Sequence, residues 1–99
     1  MAITNTPTEQ IVRIVSAQRA FFRSGQTLDI EYRLSALRAL KAALKKWEKP
    51  LAEALWKDLH KSYEEAYLTE LSIVLGEIDN HISHLKGWAS PKRCSTPLK

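Results

Sequence analysis

Glu77, His81 and His84 have the clearest prospect of shared chemistry in this 99-residue sequence. Spaced four and three apart, they fall within about 60° of one another on a helix turning about 100° per residue. They could share a metal ion, but a protein zinc site draws on more donors and no fourth ligand is in sight. The three also border an apolar stripe, where half-exposed polar side chains normally flank a core. His60 falls in a predicted inter-helix turn and has no evident partner. Cys94 follows Lys92 and Arg93, whose charges would favour a thiolate. A cysteine nucleophile also needs a positioned base, and no histidine lies nearby in the sequence. Glu64 and Glu65 are acids suited to the first turn of a helix. The three glycines, Gly25, Gly76 and Gly87, are isolated and form no phosphate loop. No catalytic, cofactor-binding or metal-ligating residue is therefore assigned, and no cofactor is expected in this chain alone.

Arg38, Lys41, Lys45 and Lys49, with Lys46 adjacent, form a basic stripe along one predicted helix. Such a stripe could grip phosphates or acidic lipid, yet solvated helix faces commonly look the same. The aromatic residues alternate with leucines at core spacing rather than with the basic stripe. That disfavours a stacking surface for nucleic acid. Trp47, Trp56 and Trp88 read as core or interface anchors. Neither nucleic acid nor membrane is expected as a partner.

The elements that would carry these residues are helices, roughly over 7–24, 29–48, 50–59 and 63–89. The first opens at Thr6-Pro7-Thr8-Glu9, a capping box with proline at the first helical position. Ile11, Val15 and Phe22 mark its apolar side, with Ile14 and Phe21 beside them, and Gly25 is a left-handed stop. The second starts at Asp29 and carries Leu34, Leu37, Leu40, Leu44 and Trp47 at three-or-four spacing. Pro50 fits the first turn of a short third helix with Leu51, Leu55 and Leu59 in register. The fourth opens with Ser62-Tyr63-Glu64-Glu65, a second capping box. Leu68, Leu71, Leu75, Ile78, Ile82 and Leu85 then form one stripe along it. It ends before Pro91, since a residue preceding proline disfavours helix. No segment alternates like a strand. The fold class is all-α, with residues 1–89 helical and 90–99 an extended connector toward a missing downstream domain.

Composition agrees with a small globular unit: 44% hydrophobic and 26% charged residues, net charge +4. Residues 1–49 hold nine basic against four acidic side chains, and residues 50–99 hold six against seven. A basic half could therefore face a mildly acidic half within one fold. No run approaches the roughly 18 apolar residues of a membrane span. The polar N-terminus has no signal-peptide pattern, and a single cysteine gives no internal disulfide. A cytoplasmic setting is the expectation. This many apolar residues on four helices implies surface that the chain cannot cover itself, and hence a partner or self-association.

The wording of the sequence adds what periodicity cannot. Gln18 to Arg23 (QRAFFR) with Ser24-Gly25-Gln26-Thr27, then Tyr32-Arg33-Leu34 and Leu37-Arg38-Ala39-Leu40, resemble the N-terminal region of class 3-like aldehyde dehydrogenases. Glu53-Ala54-Leu55, Asp58-Leu59, Lys61-Ser62 and Glu65-Ala66-Tyr67-Leu68-Thr69-Glu70 continue the match in order. Gly76-Glu77-Ile78, Leu85-Lys86, Trp88 and Pro91-Lys92-Arg93 complete it, from about Val12 to Leu98. The resemblance implies an α/β enzyme that oxidises aldehydes to carboxylic acids with NAD(P), of which this chain is an N-terminal helical scaffold segment. It implies that the cysteine nucleophile, the glutamate and the nucleotide site lie downstream, and that the remainder of the enzyme is the partner. Cys94 stands in the connector, where the family pattern has an aliphatic residue, and Pro50 is a benign departure. The alternative is a stand-alone helical module binding protein or nucleic acid through the basic stripe of the second helix.

Overall fold

Asp29 shows how locally this chain commits to helix: its side-chain Oδ2 accepts from the Tyr32 backbone N–H at 3.2 Å, starting the helix that the sequence places there. The computed structural model describes residues 4–98. Among them the elements are α1 (Thr8–Arg23), a 3₁₀ turn (Gln26–Leu28), α2 (Ile30–Lys46), α3 (Glu48–Leu59) and α4 (Tyr63–Ala66). A π-helical turn (Tyr67–Leu71) and α5 (Ser72–Ala89) follow α4 without a break. No strand occurs among the described residues, so the expected all-α class holds. The chain divides into two units, one ending at Arg33 and one starting at Leu34.

In the first unit, α1 has no buried residue, and Ile11, Val15 and Phe22 are all exposed. The capping box at Thr6 is not used. Pro7 is the cap, with no side-chain bond, and its carbonyl accepts from the Gln10 and Ile11 N–H groups. Gly25 ends the helix at φ 84°, left-handed as its type suggests, because only glycine adopts this conformation without a Cβ penalty. The Ser24 hydroxyl donates to the Phe21 carbonyl, and Arg33 Nε donates to the Thr27 carbonyl across the 3₁₀ turn. The Phe21 and Tyr32 rings meet with centroids 6.0 Å apart.

The second unit holds the buried apolar side chains: Leu34, Ala52, Ala66, Leu71 and Ile78. Trp47 is the single-residue joint between α2 and α3, its N–H on Ala43 and its carbonyl taking the Leu51 N–H. α3 therefore starts two residues earlier than expected, with Pro50 still in its first turn, where a missing N–H costs nothing. Its inward residues are Ala52 and half-buried Leu55, whereas Leu59 faces solvent. Lys41 of α2 pairs with Asp79 of α5, one instance of basic and acidic halves meeting.

The π turn corrects the longest predicted stripe. In an unbroken α-helix, Ala66 and Leu71 would lie about 140° apart. Here the Ser72 N–H reaches back five residues to the Tyr67 carbonyl. The extra residue brings both Ala66 and Leu71 inward, and Leu68 is turned out to 66% exposure. Two hydroxyls serve carbonyls of this wider turn: Thr69 donates to Glu65 at 2.7 Å and Ser72 to Leu68 at 3.0 Å. The rest of the stripe holds, with Leu71 and Ile78 buried and Leu75, Ile82 and Leu85 half-buried.

Candidate functional site

Ser62 and Glu65 fix the start of α4, because the Ser62 hydroxyl accepts from the Glu65 N–H at 3.2 Å as its capping box predicts. This cap places Tyr63 beside α3, where its hydroxyl donates to Glu48 Oε1 at 2.6 Å. The hydrogen bond to Glu48, then desolvation, then the negative charge of Glu48 push the Tyr63 phenol above its usual value. Tyr63 and Tyr67 stack with centroids 6.5 Å apart, and with Lys45 and Leu75 they line a small cavity of about 460 Å³.

The predicted histidine cluster is used for packing. Trp88 meets two imidazoles along one face of α5. The His84 ring stacks on it at 5.5 Å and 17°, and the His81 ring meets it edge-on at 5.2 Å. His84 Nδ1 sits 2.8 Å from the Asn80 carbonyl, an acceptor, so Nδ1 carries the proton. Among the described residues no three His, Cys, Asp or Glu side chains gather as metal ligands. His60 caps α3 in the left-handed region (φ 54°), its N–H on the Trp56 carbonyl at 2.8 Å and its ring edge-on to Trp56 at 5.1 Å. Cys94 is exposed in a segment with neither helix nor strand.

Three residues of the basic stripe have described neighbours, and Arg38, Lys45, Lys46 and Lys49 are exposed. Lys41 is held by Asp79, Lys45 borders the tyrosine cavity, and Lys49 lines a groove on α3. That groove, about 670 Å³, is lined by Ala52, Trp56 and Tyr63 with Lys49, Lys57, Lys61 and Glu53. A second groove of about 290 Å³ is lined by Leu51, Leu55 and Val74, with Asp58 and Glu70 beside them. Sequence reasoning followed only the Leu51/Leu55/Leu59 line of α3 and missed both grooves. The signal was present: Ala52 and Trp56 are four apart along one line, and Leu51 and Leu55, also four apart, form the adjacent line about 100° round the helix.

No helix among the described residues is long and apolar enough to cross a membrane. No protein-family model matches the chain. Curated relatives do. It is 42% identical over 80 residues to 4,4'-diaponeurosporen-aldehyde dehydrogenase of Staphylococcus aureus, a match covering 81% of this chain and 17% of that protein. It is 42% identical over 81 residues to the dimeric NADP-preferring aldehyde dehydrogenase of Canis lupus familiaris, covering 82% of this chain and 18% of the dog protein. A chloroplastic aldehyde dehydrogenase family 3 member of Arabidopsis thaliana is 35% identical over 85 residues, 86% of this chain and 16% of the plant protein. The chain thus spans about a sixth of the length of the relatives it matches. With an all-helical structure and an ordered match across most of its length, the chain belongs with the aldehyde dehydrogenases, family 3 members among them, and corresponds to their N-terminal part.

Proposed function

We propose that this chain is the helical scaffold segment of an enzyme that oxidises aldehydes to carboxylic acids with NAD(P), and that catalysis resides outside residues 1–99. The observation that carries the reading is the burial pattern set beside the homology. A chain matching the N-terminal part of such enzymes leaves Phe21, Phe22, Trp47, Trp56, Leu68, Ile73 and Trp88 exposed. Apolar surface of this kind marks contact with another protein body, and the remainder of the enzyme is the partner that the homology supplies. The cytoplasm is the setting we propose, supported by a lone, exposed Cys94 that needs no oxidising compartment.

The residues present do not fit the cofactor. A dinucleotide is cradled by a glycine turn between a strand and a helix. Gly76 and Gly87 instead lie inside α5, where an added Cβ would meet nothing within 4 Å, and Gly25 precedes a 3₁₀ turn. The role of these residues is therefore to shape and support, with nicotinamide chemistry carried elsewhere.

Two measurements test the proposal. The purified 99-residue chain supplied with aldehyde and NAD or NADP is expected to give no nicotinamide reduction, and turnover would overturn the reading. The part of this chain that matches the dog enzyme, grafted in place of the corresponding segment of that enzyme, is expected to give a soluble, active chimera. The same enzyme with that segment deleted should be inactive. A deletion variant as active as the chimera, or an inactive chimera, would remove the scaffold role.

A further inference from the structure

We propose that Trp88, its indole set by His81 and His84, is the anchor through which the remainder of the enzyme seats against this segment. The inference deepens the scaffold reading above and rests on it. Spaced three and four apart, His81, His84 and Trp88 fall within about 60° of one another on α5. The His84 ring stacks on the indole at 5.5 Å, and the His81 ring meets it edge-on at 5.2 Å. His84 is itself held, its Nδ1 2.8 Å from the Asn80 carbonyl. The indole is therefore fixed in orientation and still 54% exposed. A large ring ordered at the surface in advance suits docking, because its rotamer freedom is spent before the partner arrives. Tryptophan is also among the residues that most often carry the affinity of an interface.

Position in the chain selects the occupant. Trp88 stands one residue before the end of α5 at Ala89, and residues 91–98 run on without helix or strand. The match to the relatives covers only 17% and 18% of their length and lies in their N-terminal part. In such an enzyme the chain continues from this end of α5 into the larger body, which brings that body to the helix end that carries Trp88. The seat it offers needs apolar walls for the ring. It also needs an acceptor for the indole N–H, a group that only donates and that burial would take from water. His81 and His84 are positioning residues here, because they hold the indole rather than meet the partner in its place.

The chimera with the dog enzyme, its graft extending through Trp88, and the isolated 99-residue chain test this together. Thermal inactivation is read for the first and urea unfolding by circular dichroism for the second. In an active chimera, Trp88→Ala is expected to shorten the half-life at a fixed temperature by about tenfold, as for a lost aromatic anchor, and Trp88→Phe by less. In the isolated chain, Trp88→Ala should leave the unfolding midpoint nearly unchanged, because more than half of the residue is in water. His84→Ala is expected to give part of the chimera's loss, and His84→Phe, which keeps a ring to stack, to restore it. An inactive unaltered chimera would overturn the scaffold reading and this inference with it. An active chimera indifferent to Trp88→Ala would overturn the anchor alone and leave the scaffold role standing. Equal destabilisation of the chimera and the isolated chain would assign Trp88 to packing within the segment, against the proposal. A chimera that loses stability with Trp88→Ala but not with His84→Ala would exclude positioning by the histidine.

Discussion

Tyr63 is where the fold alters a side chain's chemistry most measurably. Its phenol is raised first by the hydrogen bond to Glu48, then by desolvation, then by the Glu48 charge. A raised value in the folded state means the fold holds the proton more tightly. Stability from this contact is therefore fully present below the ordinary tyrosine value near pH 10 and is lost as pH rises through the higher folded value. In a Y32F/Y67F background, phenolate absorbance should titrate above the ordinary value, and Glu48→Gln should move it downward. An unchanged midpoint in the Glu48→Gln protein would remove Glu48 as the cause. The caps act at the same scale. Ser62→Ala leaves the Glu65 N–H without its acceptor and should cost about 1 kcal/mol in urea unfolding. Thr6→Ala should cost nothing measurable, because Pro7 rather than Thr6 caps α1.

At the scale of elements, the π turn decides which residues line the core. It amounts to one extra residue between Ala66 and Leu71, and exposed Leu68 is the natural one to remove. Deleting Leu68 should restore plain α-helix while keeping Ala66 and Leu71 inward, now four apart, at a cost within about 1 kcal/mol. Deleting Asn80 should instead turn Ile82 and Leu85 away from the line of Ile78, costing about 2–5 kcal/mol as for truncated core residues. Equal destabilisation by the two deletions, followed by far-UV circular dichroism in urea, would contradict this account of the turn. Gly76 and Gly87 give a complementary expectation. Both sit in helix α5 with open space at the Cβ position, so Ala at either should stabilise the isolated chain by about 0.5–1 kcal/mol.

For the whole molecule, the described residues bury five apolar side chains and leave many larger ones to solvent. A core this small tolerates little loss. Leu71→Ala, at a site where the side chain is 6% exposed, should cost about 2–5 kcal/mol, enough to abolish cooperative thermal unfolding in a domain of marginal stability. The exposed residues set the opposite expectation for solubility. The chain should bind an apolar reporter dye, and Phe22→Ser with Trp88→Ser should reduce that signal without loss of helix content. Dye binding unaffected by both changes would place the sticky surface elsewhere, along α3.

Sequence by itself determined the helices and most of their ends, because caps, glycine stops and proline are governed by contacts within a few residues. Asp29, Gly25, Ser62 and Pro50 act as their types dictate. It also carried the kinship, which resides in residue order rather than in geometry. Tertiary structure decided what three-residue arithmetic cannot reach. The π turn shifts phase by one residue and trades Leu68 for Ala66 in the core. Trp88 claims His81 and His84 as ring partners, a choice between packing and ligation that spacing leaves open. And α3 buries Ala52 while leaving neighbouring Leu51 and Trp56 beside open grooves, because burial depends on which neighbours arrive.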